Sequence, residues 1–342
     1  MHICLCEISS QHPCSVSNPS PFFITGPTAS GKSSIALALA ERVGGEIVNA
    51  DAFQLYQGLA LLTAKPSMAD RGRVPHHLYE ALPPEEGCDA QRYREMALPV
   101  IAEIAARGRV PIVVGGSGLY IKALSHGLAD LPRGDAALRA ELNALSLDEM
   151  VARLLVLDPR AAENVPLANP RYVQRALEIC LLTGQSQSAL RQTFAQTKPV
   201  GQGIVLHWSR EALYARIDQR VHGMIAEGLL EEVRVFLAAR APSMEDSPTM
   251  PCQAPLQLEK AIGLREVRSH LAGEMTLTEA ISAIQQATRR YAKRQITWFK
   301  REHWLQTICL DSQQGAESVA CHLIDLFPCL TSPSPLTLSP SI

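Results

Sequence analysis

An α/β fold is what this sequence predicts: a P-loop parallel sheet flanked by helices, with a mainly helical insertion domain. Three observations predict it. Apolar strand-like runs recur at PFFIT (21–25), EIVNA (46–50), VPIVVGG (110–116) and GIVLHWS (203–209), separated by helical patterns such as 33–43 and 92–107. Continuous apolar strands that alternate with helices belong to a sheet buried on both faces, and such sheets are parallel. The first strand runs straight into GPTASGKS (26–33), which fits G-x-x-x-x-G-K-[ST] at every fixed position and leads into a helix. Residues 131–190 then read as helix after helix with no strand signal.

Taken in order, residues 1–20 form a leader expected to be disordered, and 21–130 the first part of the core. Residues 131–200 form the helical insertion, 201–310 complete the core and add basic helices, and 311–342 are a tail, disordered at its end. Helices are expected at 211–239, 258–272 and 277–304. The Pro-rich stretch 241–255 reads as a surface loop.

Composition bounds the protein class. With 342 residues, 46% hydrophobic content and a net charge of −2, the chain suits one or two globular domains. No apolar run reaches the roughly 20 residues of a membrane helix, and the start lacks a signal-peptide pattern, so no membrane partner and a cytoplasmic location are expected. Nine cysteines, an odd number without a C-x-x-C pair, suit free thiols in a reducing compartment. Cys4, Cys6, His12 and Cys14 are metal-ligand types, but they lie in the leader with looser spacing than structural zinc sites have.

The P-loop is the strongest chemical signal. Its glycines, Gly26 and Gly31, let backbone N–H groups of Thr28, Ala29 and Ser30 turn toward phosphate oxygens. The following helix presents its positive end, Lys32 adds a point charge, and Ser33 offers a hydroxyl to Mg²⁺. The loop therefore binds a polyphosphate or diphosphate. Asp51, just past the second strand on the same sheet edge, has two catalytic jobs open to it, holding Mg²⁺ through water or taking a proton from a nucleophile; capping a helix is the third alternative. The glycines and Ser117 of VVGGSGLY (113–120) end the third strong strand, where a ligand or a tight turn would use them equally. TRRYAKRQITWFKR (288–301) holds six cations, among them Arg290, Lys293 and Arg294, interleaved with aromatics; it reads equally as a nucleic-acid face or as a helix with a solvated basic side. His76 and His77, as adjacent residues, point apart and are expected in a turn or an RNA-facing loop.

GPTASGKS, DAFQLY (51–56), TAKP (63–66), VPHHL (74–78), VVGGSGLY, RALE (175–178), KAIGLRE (260–266) and TRRYAKRQITWF (288–299), in this order, closely resemble the tRNA dimethylallyltransferases over most of the chain, about residues 22–302. The resemblance implies a prenyltransferase that moves a dimethylallyl group from dimethylallyl diphosphate to N6 of adenosine 37 in tRNAs reading UNN codons, with release of diphosphate. It implies that Asp51 accepts the amine proton, that Thr28 and either Arg216 or Arg220 join Lys32 on the diphosphate, and that Mg²⁺ sits on Ser33. It also implies that Asp51, Ala52, Phe53, Gln54 and Ser117 meet the tRNA base or its neighbours. Arg171, Arg175, Lys260, Arg265, Arg290, Lys293 and Arg294 would hold the anticodon stem-loop, and a monomer is the default. The chain departs from the pattern at Leu62, where the family usually has glycine, and at Asn169-Pro170, where it usually has an Asp within NDP.

Two other readings remain at this stage. A P-loop small-molecule kinase would use the same loop for ATP and leave the basic helix surplus. A nonenzymatic nucleotide-gated RNA-binding protein would leave the RNA chemically unchanged.

Overall fold

A computed structural model of the chain describes residues 20–128, 131–132, 134–194, 198–240, 257–310 and 315–331. The leader up to residue 19, the loop expected at 241–255 and residues 332–342 of the tail lie outside the described residues. The chain divides into two compact units, Met1–Ile121 with Val200–Ile342, and Lys122–Pro199.

The first unit is organised by six strands, β1 (Phe22–Thr25), β2 (Glu46–Asn49), β3 (His76–His77), β4 (Pro111–Gly115), β5 (Gln202–His207) and β6 (Gln306–Cys309). They form one sheet in the order β3-β2-β4-β1-β5-β6, and every neighbouring pair is parallel. β1 is central, flanked by β4 and β5, and all its residues are buried. The chain leaves β1, crosses past β4 to reach β2, steps outward to β3 at the edge, returns past β2 to β4, and then crosses past β1 to β5 and on to β6. Reversal of the winding at β1 opens a crevice at the carboxyl ends of the strands.

Helices before the second unit are α1 (Lys32–Val43), α2 (Ala60–Thr63), α3 (Met68–Arg73) and α4 (Ala90–Ala106), and α5 (Gly118–Ser125) runs across the division at Ile121. The second unit holds α6 (Ala136–Asn143), α7 (Leu147–Leu157), α8 (Ala161–Asn164), α9 (Pro170–Thr183) and α10 (Gln187–Phe194). After it come α11 (Arg210–Ala226), α12 (Leu229–Ala238), α13 (Leu264–Leu271), α14 (Leu277–Phe299) and α15 (Ala316–Leu326). α1 buries every residue from Ile35 to Ala40, because the β1 and β4 side chains cover one flank and Val319, Ala320 and Leu323 of α15 the other. The helical unit has its own core, in which Met150 and Leu154 of α7 meet Val173, Ala176, Leu177 and Cys180 of α9.

Several boundaries differ from the sequence expectation. The His76–His77 pair is a short strand beside Ile47 and Val48 rather than a turn; His76 Nδ1 lies 2.8 Å from Val74 O, and His77 Nε2 lies 2.7 Å from the buried Glu46 carboxylate. β6 was not foreseen, since three of its four residues are exposed and leave no apolar run. The helix expected at 211–239 is broken at Gly228 into α11 and α12, and the one at 258–272 opens as a 3₁₀ turn, Gln257–Lys260, before α13.

Candidate active site

The loop after β1 wraps the start of α1. Gly31 closes it in the left-handed region, φ 90°, which glycine adopts without a Cβ penalty. Ala29 holds φ 62°, a conformation that costs a non-glycine residue energy and is kept only where the surroundings impose it. Those surroundings come from α11. Arg216 Nε donates to Ala29 O (2.8 Å) while its guanidinium lies over the Trp208 ring at 4.4 Å, and Trp208 Nε1 donates to Ser30 O (3.0 Å). One turn on, Arg220 Nη1 donates to Thr28 Oγ1 (3.3 Å).

Lys32 Nζ donates to Pro27 O (2.7 Å). Burial pushes the Lys32 ammonium down to about 8; Asp51 opposes the shift and Arg220 adds to it. Burial also lowers the Arg220 guanidinium from its ordinary value, again against Asp51. Two cations held close together in a part-buried cleft, with one carboxylate beside them, are arranged for an anion. Thr28, Lys32, Ser33, Asp51, Phe53, Gln54 and Arg220 line one cavity, so seven residues expected from sequence at the site converge there.

Asp51 is not a helix cap. Its Oδ1 accepts from Phe53 N–H (3.0 Å), its own N–H donates to Asn49 Oδ1 (2.9 Å), and its carbonyl accepts from Asn49 Nδ2 (3.1 Å). The carboxylate is thereby fixed in a turn at the mouth of β2. Ala52 N–H donates to Ser117 Oγ (3.0 Å), which ties the turn after β2 to the turn after β4. Phe53 and Gln54 line the same cavity, but both Nε2 hydrogens of Gln54 are spent, on Thr63 O (2.9 Å) and Ala64 O (2.8 Å).

One side of the cavity wall is apolar, from Leu62, Ile217, Val221, Met224, Leu229 and Ile284. Leu62 packs on Gly263, where a Cβ would come within 2.7 Å of Leu62 Cδ1. Sequence reading did not pick this wall, nor Tyr79, Thr288 and Tyr291, which also line the cavity. Burial raises the Tyr79 and Tyr291 phenols well above their ordinary value, with Asp51 adding to both shifts, so both hydroxyls stay protonated donors. The signal available for Tyr291 was its place four residues before Gln295 on an amphipathic helix.

The other residues picked from sequence lie outside this cavity. Arg290, Lys293 and Arg294 form an exposed face of α14. Lys260 ends the 3₁₀ turn, exposed, and the exposed Arg265 on α13 pairs with Glu266. Arg171 and Arg175 are on α9 of the helical unit. Arg171 is exposed, whereas Arg175 donates to Glu178 Oε2 (2.6 Å) and Pro132 O (2.8 Å) within its own unit.

A P-loop at the central strand of a parallel sheet, faced by a carboxylate and two arginines, defines the class, a P-loop α/β protein. A model of the family described as IPP transferase matches residues 54–302, which begins beyond the P-loop and Asp51. A tRNA dimethylallyltransferase from Geobacter metallireducens is 46% identical over 285 residues, 82% of this chain and 89% of that one. Another, from Akkermansia muciniphila, is 41% identical over 89% of this chain and 98% of its own length. Among solved structures, the tRNA isopentenylpyrophosphate transferase of Bacillus halodurans is similar at 32% identity with a TM-score of 0.62, covering 91% of this chain and 97% of that one. A eukaryotic dimethylallyltransferase solved acting on tRNA is similar at 25% identity and a TM-score of 0.77, covering 93% of this chain and 81% of its own. The chain belongs to the IPP transferase family.

Proposed function

We propose that this protein is a tRNA dimethylallyltransferase that transfers the dimethylallyl group of dimethylallyl diphosphate to N6 of adenosine 37, in the anticodon stem-loop of tRNAs reading UNN codons. The observation that carries the reading is the two-sided cavity, cationic at the P-loop and apolar along α11, α12 and α14. An isoprenoid diphosphate has that same division, and ATP does not. The names of the relatives agree with this reading and not with a kinase or a nonenzymatic binder.

The chemistry follows from the residues. Adenine N6 attacks the allylic carbon, a C–N bond forms, the C–O bond to diphosphate breaks, and the bonding pair leaves with diphosphate. Lys32, Arg220 and the loop amides hold the leaving charge. Arg216 braces the loop at Ala29 O, and Arg220, which lines the cavity beside Lys32, is the arginine for the diphosphate contact in this reading. Asp51 takes the N6 proton. The base must leave its stack to reach this depth. Ser33 lines the cavity beside Lys32, and its hydroxyl is an oxygen ligand of the kind that would hold Mg²⁺. Mg²⁺ would neutralise diphosphate charge there. No described helix is long and apolar enough to cross a membrane. The enzyme works in the cytoplasm, where its tRNA substrate is, and as a monomer.

The test is incubation with radiolabelled dimethylallyl diphosphate and unmodified tRNA, with labelled ATP in a parallel tube. Label in RNA from the first tube alone supports prenyl transfer; a phosphorylated product sinks it. Replacing the exposed Arg290 and Arg294 with Gln removes two cations from one helix face. tRNA affinity should fall and its salt slope flatten by up to ~0.7 to 0.9 for each phosphate no longer neutralised, with diphosphate affinity unmoved; an unaltered slope would show that this face holds no RNA. Leu62→Ala should raise the donor KM about tenfold through weaker apolar packing on the prenyl chain, with a smaller change in kcat, whereas an unmoved KM would take Leu62 out of the donor pocket.

A further inference from the structure

The helix that carries the exposed basic face also carries a buried amide. Gln295 is 5% exposed; its Oε1 accepts from Thr28 N–H (2.8 Å) and its Nε2 donates to Gly116 O (3.0 Å). One side chain on α14 therefore joins the loop after β1 to the turn after β4. The turn has room for it only without side chains, since a Cβ on Gly116 would lie 2.2 Å from Gln295 Nε2. A Cβ on Gly118 would likewise lie 2.2 Å from Trp298 Nε1, one helical turn further along. Tyr291, one helical turn before Gln295, lies beside Ser117 and Gln295, so three successive inward positions of α14 face the two loops. Arg289 on the same helix pairs with Asp218 of α11 (2.5 Å), the helix whose Arg216 and Arg220 brace the P-loop.

We propose that Gln295 is a positioning residue that couples RNA held on the outer face of α14 to the geometry of the diphosphate loop. The inference rests on the reading of this site as one that takes a diphosphate and an RNA together. A long helix moves as a rod, so phosphates pulling on Arg290, Lys293 and Arg294 displace Gln295 with them. A buried amide bonded at both ends transmits that displacement, because separating either end leaves a buried polar group unpaired. Thr28 N–H is one of the loop amides, and Gly116 O adjoins Ser117, which holds Ala52 beside Asp51. Donor side and acceptor side are thereby set by one residue. Such coupling is reciprocal: RNA changes diphosphate affinity by the same factor as diphosphate changes RNA affinity.

Calorimetry of the full chain with Mg²⁺ and inorganic diphosphate, with and without saturating unmodified anticodon stem-loop RNA, measures that factor. Wild type is expected to show coupling of about 5- to 150-fold, the usual range. In Gln295→Leu the factor should collapse toward one while the affinity for RNA alone stays at the wild-type value. Gln295→Glu keeps the acceptor for Thr28 N–H and loses the donor to Gly116 O, so it should retain part of the coupling; it also carries the test if the leucine variant fails to fold. Coupling in the variants equal to wild type, or no coupling in wild type, overturns the proposal. Because the readout is binding, a wild type that couples the two ligands yet transfers no prenyl group would overturn the functional reading and leave this one standing.

Discussion

Asp51→Asn should lower single-turnover prenyl transfer about 10²- to 10⁴-fold while leaving donor affinity nearly unchanged. Asparagine keeps an oxygen for Phe53 N–H and so preserves the turn that fixes residue 51, and only the capacity to accept the N6 proton is removed. Alanine would lose both, which makes the comparison informative: equal rates for the two variants assign the whole effect to proton transfer, and a slower alanine variant measures the turn. Wild-type turnover in the asparagine variant would remove Asp51 from the chemistry.

Lys32→Ala should weaken diphosphate binding about 10²-fold and slow transfer as well, since the charge acts on both bound donor and leaving group. The depressed ammonium adds a pH signature. In the free protein Lys32 loses its proton near pH 8, below the ordinary lysine value of 10.5. Bound diphosphate favours the charged form, so its pKa rises on binding and a proton is taken up above pH 8. The contribution of Lys32 to affinity is therefore constant below about pH 8 and falls above it, by up to tenfold per pH unit. The stability of the free protein moves the other way: between pH 8 and 10.5 the unfolded chain binds more protons, so this group makes stability rise with pH. Opposite signs separate the ligand effect from alkaline unfolding. Calorimetry at pH 9 in buffers of different ionisation enthalpy should show proton uptake on binding in wild type; uptake of the same size in Lys32→Ala would assign the proton elsewhere.

The parts of this site legible in sequence are those whose chemistry is local. A P-loop is eight consecutive residues with fixed glycines, and Asp51 follows a buried strand by two positions, so both are read along one short stretch. Gln295 and Tyr291 were in plain view within a segment read for its charges, yet their roles depend on what the inward face of α14 meets, and no spacing along one helix specifies Thr28 or Gly116. The apolar wall gathers from four separate helices between Leu62 and Ile284, none distinguishable from ordinary core. The same holds for the sheet. β1, β2, β4 and β5 each carry adjacent buried apolar residues, whereas β3 is two residues and β6 buries only one, so neither stands out as an apolar run. Arg175 shows the converse, a cation in a recognisable motif whose guanidinium is engaged with Glu178 and a backbone carbonyl inside its own unit.

The two faces of α14 set different rules for substitution over a few residues of one helix. On the outer side, positions 290, 293 and 294 are exposed, with the Arg294 guanidinium over the Tyr291 ring at 5.7 Å, and the backbone sets little limit on what stands there. On the inner side, positions 291, 295 and 298 fit against Ser117 and two glycines whose missing side chains are already filled, and a methyl group gained at either glycine requires volume given up on the helix. Substitutions on one flank should therefore be independent and on the other paired, a side chain at Gly116 demanding a smaller residue at 295 and one at Gly118 a smaller residue at 298.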